Sequence, residues 1–182
     1  MAPVYAAGTR SARRHATACA DAKLQPTNAD LAQIEATTFC LIQRVRLAAR
    51  LHPLRLNRPL QGVAAGQARD MVAGDYFGDD GIAGETPIER ILASPYPGGA
   101  TRVESAQNIG WATGPLACPE AMVAAWMGSP PHRAIILTPG FRDIGVGVTP
   151  AAPSSLAQGL AGATYTLEFG QRIFAASAAR RR

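Results

Sequence analysis

The sequence predicts an α+β domain in which helices come first and short antiparallel strands close the chain. Apolar residues recur at helical spacing from residue 31 to residue 49, and a second helical pattern runs from Pro59 to Val72. Small and β-branched residues alternate over 143–149, as in a strand. Helices and strands segregated in this order are typical of a layered α+β fold.

A length of 182 residues suits one domain with flanking tails. We assign residues 1–27 to an N-terminal lead, 28–172 to the domain and 173–182 to a basic tail. A hydrophobic content of 47% is enough to form a core. Because no run of about 18 apolar residues occurs, the sequence predicts no membrane span.

The net charge of +5 comes from the two ends of the chain. Without the terminal arginines the rest is close to neutral, and no basic stripe with interleaved aromatics remains, which argues against nucleic-acid binding. These arginines are Arg10, Arg13, Arg14, Arg180, Arg181 and Arg182.

The first half of the chain reads as helices joined by short links. Asn28 or Asp30 is placed to cap the first helix, and Pro53 ends it because the residue before a proline leaves the helical region. Residues 54–58 form an extended link, and Pro59 suits the first position of the second helix. After a loop rich in glycine and aspartate, residues 87–92 form a short helix.

The second half contains the strands. Residues 105–112 are predicted to be a turn leading into a short strand, and residues 119–127 a helix. Strands follow at 143–149 and 164–170, joined by a flexible connection at 150–162. Gly145 and Gly147 indicate that a helix packs closely on the first of these strands.

Five sequence blocks, in order, resemble the bacterial branch of the CAP superfamily (cysteine-rich secretory, antigen 5 and pathogenesis-related 1 proteins; SCP-like domains). The most informative is residues 126–137, Trp-Met-Gly-Ser-Pro-Pro-His-Arg-Ala-Ile-Ile-Leu. The others are residues 68–77, 107–110, 141–148 and 165–170. The resemblance implies a three-layer α-β-α sandwich.

The resemblance also implies a cleft lined by two histidines and a glutamate, which binds a divalent metal, commonly zinc, in several members. Here His132 matches, whereas Asp79 and Gln107 stand at the positions of the first histidine and the glutamate. Asp79 can ligate zinc or another divalent cation through oxygen, so His132 and Asp79 are the candidate metal ligands. Gln107 can neither accept a proton as a general base nor ligate as an anion.

Three of these candidates have structural interpretations as well. His132 lines the cleft or only orients the helix that it opens. Ser129 lines the cleft with it, and we favour a role in ending one helix and capping the next over one as a nucleophile. Asn108 is expected to support the cleft wall through bonds to the backbone at a turn.

The three cysteines allow three pairings, or no bridge at all. The resemblance favours Cys19–Cys40, because bacterial CAP-like domains often carry one cysteine before the first helix and one within it. Such a bridge implies an oxidising compartment, with Cys118 left as a buried thiol. The first 20 residues lack the apolar stretch of a signal peptide. The expected location, extracellular or in the cell envelope, therefore rests on the resemblance and the cysteines.

The preferred functional hypothesis is an exported bacterial domain with a degenerate cleft that binds a lipid, an envelope component or a protein without catalysis. The alternative is a metal-dependent hydrolase or protease that uses Asp79 and His132. A third hypothesis is a structural module with a vestigial cleft.

Overall fold

The computed structural model describes residues 19–175. Its elements, in chain order, are α1 (Leu31–Ala48), β1 (Arg55–Leu56), α2 (Arg58–Ala73), α3 (Pro87–Ala93), β2 (Arg102–Thr113), a 3-10 turn (Gly114–Ala117), α4 (Pro119–Gly128), α5 (Pro130–Ile136), β3 (Asp143–Thr149), α6 (Ser154–Ala157) and β4 (Gly162–Ile173).

The four strands form one sheet in the order β1-β3-β4-β2. β4 pairs antiparallel with both β2 and β3, and β1 pairs parallel with β3. Two predictions are corrected here. Residues 105–112 are not a turn leading into a short strand, because the whole of β2 pairs with β4 residue by residue. The connection 150–162 also contains a helix, α6.

One face of the sheet carries the apolar core. Val146, Leu167 and Phe169 pack there against Ile34 of α1 and Trp126 of α4. Trp126 is buried in this core, and its indole nitrogen donates to the Ile109 carbonyl at 2.9 Å.

The opposite face is covered by α2, which approaches the backbone of β3 closely. A Cβ atom added to Gly145 would lie 2.1 Å from the Leu60 carbonyl carbon, and one on Gly147 would lie 2.3 Å from that of Ala64. The predicted close approach of a helix to this strand is confirmed. With α2 on one face and α1 and α4 on the other, the fold is the expected three-layer α-β-α sandwich.

Side-chain caps are present at the starts of α2 and α3, but the cap predicted for α1 is not formed. Asn57 caps α2 by accepting from the Leu60 amide, and Thr86 and Glu89 form a capping box at α3. Asp30 occupies the cap position of α1, but its carboxylate makes no cap bond and accepts instead from the Thr27 hydroxyl.

Part of the predicted lead is attached to the domain. Cys19 and Cys40 form the disulfide that the resemblance favours. The Thr37 hydroxyl donates to the Ala20 carbonyl, and the Glu120 amide donates to the carbonyl of Ala22. Residues 19–27 therefore pack on α1 and α4, while residues 1–18 and 176–182 lie outside the described part of the chain. The two boundaries between the three assigned segments stay predictions.

A buried arginine ties three segments together. Arg46 of α1 has no exposed surface, and its guanidinium donates to the carbonyls of His52, Ile136, Thr138 and Phe141. These bonds fix the chain after α1, the end of α5 and the turn before β3.

Within residues 19–175, no helix is both long enough and apolar enough to cross a membrane.

Candidate functional site

The predicted site residues lie on two sides of the sheet. Gln107 and Asn108 are neighbours in the middle of β2, so their side chains point to opposite faces. The amide of Gln107 bonds to Glu168, whereas that of Asn108 bonds to the His132 carbonyl at 3.1 Å. The expectation that Asn108 lies at a turn is wrong, because it sits within a continuous ladder with β4.

Glu168 is a functional candidate that the sequence analysis missed. It lies opposite Gln107 in the β2–β4 ladder, and Gln107 Nε2 donates to Glu168 Oε1 at 2.6 Å. The side chain has no exposed surface. Burial raises the pKa of Glu168 to about 8, while the bond from Gln107 acts in the opposite direction. At neutral pH this carboxyl is therefore mostly protonated and uncharged.

Asp79 and Arg90 complete the surroundings of Glu168. The charge of Arg90 lowers the pKa of Glu168 and that of Asp79 raises it, although both effects are smaller than that of burial. Arg90 Nη2 donates to the Asp79 carbonyl at 2.6 Å, and Arg90 Nη1 donates to the Glu85 carbonyl at 2.7 Å. The Asp79 side chain itself is exposed.

Gln67 of α2 bonds to the loop before α3, which Arg90 also contacts. Its Nε2 donates to the Gly78 carbonyl at 3.0 Å, and the side chain is 1% exposed. We name Gln67, Asp79, Arg90, Gln107 and Glu168 the Glu168 cluster.

Several buried polar atoms in the Glu168 cluster have no hydrogen-bond partner within the described residues. These atoms are Gln67 Oε1, Gln107 Oε1, Glu168 Oε2 and Arg90 Nε. Glu168 Oε2 is a donor in the protonated carboxyl, so the set contains two acceptors and two donors. Buried polar atoms are nearly always paired in folded proteins, because an unpaired one costs about 1–3 kcal/mol. Four of the eight such atoms among the described residues lie in this cluster, so it is the main concentration of unpaired buried polar groups there.

A groove of about 610 Å³ adjoins this cluster between α2 and α3, and we name it the α2–α3 groove. Gln67 and Arg90 belong to both its wall and the Glu168 cluster. Its apolar lining comes from Pro59, Val63, Ala93 and Pro95, and its charged lining from Arg58, Asp70 and Glu85. A groove of this size with a few convergent polar groups is typical of ligand sites.

His132 and Ser129 form a second group at the start of α5. His132 Nδ1 lies 2.9 Å from Ser129 Oγ, and both side chains are half-buried. Ser129 ends α4 and stands at the cap position of α5, as expected, but its side chain makes no cap bond. Within the described residues, no hydrogen bond or ion pair joins this group to Asp79 or Gln107. A single cleft lined by all five predicted residues stays a prediction.

The donor set for a metal is incomplete in the part of the chain that the structure covers. No group of three or more His, Cys, Asp or Glu side chains is arranged to hold a metal ion there. Protein zinc sites use three or four such ligands. The described residues therefore do not form a complete zinc donor set, and zinc bound by His132 and Asp79 stays a prediction.

Comparisons with known proteins agree with the fold and with the five sequence blocks that resemble CAP proteins. The profile of the cysteine-rich secretory protein family (CAP) matches residues 39–160, more than half of the chain. The chain therefore belongs to the CAP family. The Bacillus subtilis (strain 168) protein YkwD is 33% identical over 97 residues, which are 53% of this chain and 35% of that protein.

Solved structures are similar over most of the chain. An extracellular protein containing an SCP domain from Bacillus anthracis str. Ames matches 79% of this chain and 43% of its own, with 25% identity and a TM-score of 0.62. An outer surface protein from Borrelia burgdorferi matches 74% of this chain and 89% of its own, with 19% identity and a TM-score of 0.56. The chain thus spans about a third of YkwD and less than half of the Bacillus anthracis protein.

Proposed function

We propose that this CAP domain is a binding module that acts outside the cell or in the cell envelope and holds an envelope component in the α2–α3 groove. The observation that supports the proposal most is the set of unpaired buried atoms of the Glu168 cluster beside that groove. The disulfide favours an oxidising compartment. The extracellular and surface locations named for the bacterial relatives favour it too.

Binding without catalysis is preferred because Gln107, which stands at the position of the family's glutamate, cannot serve as a general base. A metal-dependent hydrolase using Asp79 and His132 remains the alternative. A lipid or a protein, rather than a wall polymer, is an alternative occupant of the groove.

The groove can be tested with a steric variant that leaves the core intact. A Cβ on Gly66, which lines the groove, would meet nothing within 4 Å, so the side chain of Gly66→Leu can start without a clash and extend into the groove. Gly128→Leu is the matched control, since Gly128 also has open space around it and lies at the end of α4.

The measurement is co-sedimentation of the full chain with membrane-free bacterial cell walls and, separately, with bacterial membrane vesicles. We expect sedimentation with the walls, lost in Gly66→Leu and kept in Gly128→Leu. Sedimentation with neither preparation would overturn the proposal, as would equal sedimentation of the two variants. Zinc calorimetry on the wild type and His132→Ala tests the alternative, which requires binding that disappears in the variant.

A further inference from the structure

We infer that the α2–α3 groove takes an uncharged saccharide chain, whose hydroxyl or acetamido groups donate to Gln67 Oε1 and accept from Arg90 Nε. This inference rests on the proposed function and names the chemistry of its ligand. It starts from Gln67, which is 1% exposed, lines the groove and has an unpaired side-chain oxygen among the described residues.

The groove wall itself carries two of the unpaired atoms, an acceptor and a donor. Gln67 Oε1 lacks a donor and Arg90 Nε lacks an acceptor among the described residues. A hydroxyl group both donates and accepts, so a polyhydroxylated ligand can meet this set. An acyl chain cannot, because it would cover these atoms and leave them unpaired.

Charge argues against ionic ligands. Both terminal nitrogens of Arg90 already donate to backbone carbonyls, which leaves fewer of its N–H groups for a phosphate or a carboxylate. Asp70 and Glu85 in the lining would also repel an anion. A cation would meet the positive charge of Arg90 at the same place. An uncharged ligand avoids both conflicts.

The shape of the groove suits a flat ring. Gly62 and Gly66 lie one turn apart on α2, and a Cβ at either would meet nothing within 4 Å. The ligand can therefore approach the helix backbone along this strip. Pro59, Val63 and Pro95 offer apolar contacts to the C–H faces of sugar rings and to acetyl methyl groups.

The test is calorimetric titration of the full chain with the neutral tetramer of N-acetylglucosamine. We expect a Kd of about 1 mM or tighter, weakened at least about tenfold in Gly66→Leu and unchanged in Gly128→Leu. Gly66→Leu should fold, because leucine favours a helix interior over glycine. Circular dichroism checks this, and Gly62→Leu is the second blocking variant.

Two further probes separate saccharide from other ligands. With a neutral tetrapeptide or with phosphatidylglycerol vesicles, the heat measured should be the same for the wild type and Gly66→Leu. Groove-dependent binding of either one without the tetrasaccharide would overturn the inference, as would saccharide binding that both blocking variants retain. If cell walls sediment the protein through the groove while the tetrasaccharide gives no heat, the saccharide inference fails and the proposed function stands.

Discussion

At the scale of single residues, Glu168 determines how the Glu168 cluster responds to pH. Its pKa is about 8 in the folded chain, against an ordinary value of 4.5. Between these values the folded state holds a proton that the unfolded chain has lost, so stability falls as the pH rises. The stabilising contribution of Glu168 to the free energy of unfolding is complete below about pH 4.5 and is lost as the pH approaches 8.

We therefore expect Glu168→Gln to remove part of the pH dependence of folding. The free energy of unfolding of the wild type should fall between pH 5 and pH 8 by more than that of the variant, with a difference on the order of 4 kcal/mol. Urea unfolding at both pH values measures this. Glu104→Gln, which changes a half-buried carboxylate on the opposite face of β2, is the control. Parallel curves for the wild type and Glu168→Gln would contradict the assignment.

Arg46 has a purely structural role at the same scale. Its guanidinium serves four carbonyls, which a lysine ammonium with three donors on a flexible stem cannot replace. Arg46→Lys should lower the free energy of unfolding by about 3 kcal/mol, because it leaves buried carbonyls unpaired. Arg44→Lys, on the exposed side of α1, should change it little. Equal urea midpoints for the two variants would show that the bonds of Arg46 contribute nothing.

At the scale of elements, the contact between α2 and β3 is the tightest in the sandwich. Gly147→Ala should destabilise the fold by about 2 kcal/mol or more, since the new methyl group meets helix backbone that cannot move aside. Gly128→Ala, with open space around it, should be neutral or stabilising. Thermal unfolding of both variants checks this. A Gly147→Ala variant as stable as the wild type would mean that the two layers are not packed this closely.

The elements also show how far sequence reasoning reaches. Helical periodicity, Pro59 and the glycines of β3 predicted the helices and the close packing of α2, because these signals are local. The polar residues Thr166 and Glu168 of β4 would ordinarily face water, yet both are buried because α2 covers that face.

The candidate site depends on contacts between elements that are distant in the sequence, so it was predicted only in part. Asp79 and Gln107 were identified, but Glu168, Gln67 and Arg90 were missed, because their meeting depends on how α2 and α3 dock on the sheet. The glycines of β3 were the one available signal that the face carrying Glu168 is covered. Gln107 and Asn108 point to opposite faces of the sheet because both lie within the long strand β2. The sequence predicted a turn there instead.

At the scale of the whole molecule, the disulfide attaches residues 19–27 to the domain. Its loop spans 21 residues, so the bridge should stabilise the folded state by about 3 kcal/mol. Reductant should lower the Tm of the wild type and leave that of a Cys19→Ala, Cys40→Ala double variant unchanged. The double variant should itself match the reduced wild type. No change in Tm on reduction would show that this attachment adds nothing to stability.

Hydrogen–deuterium exchange of the full chain with soluble fragments of bacterial cell walls tests whether this CAP domain binds its ligand in the α2–α3 groove. We expect slower exchange at residues 59–67 and 90–95 in the wild type, and no such change in Gly66→Leu. Protection confined to residues 129–136 around His132, or no protection at all, would contradict this expectation.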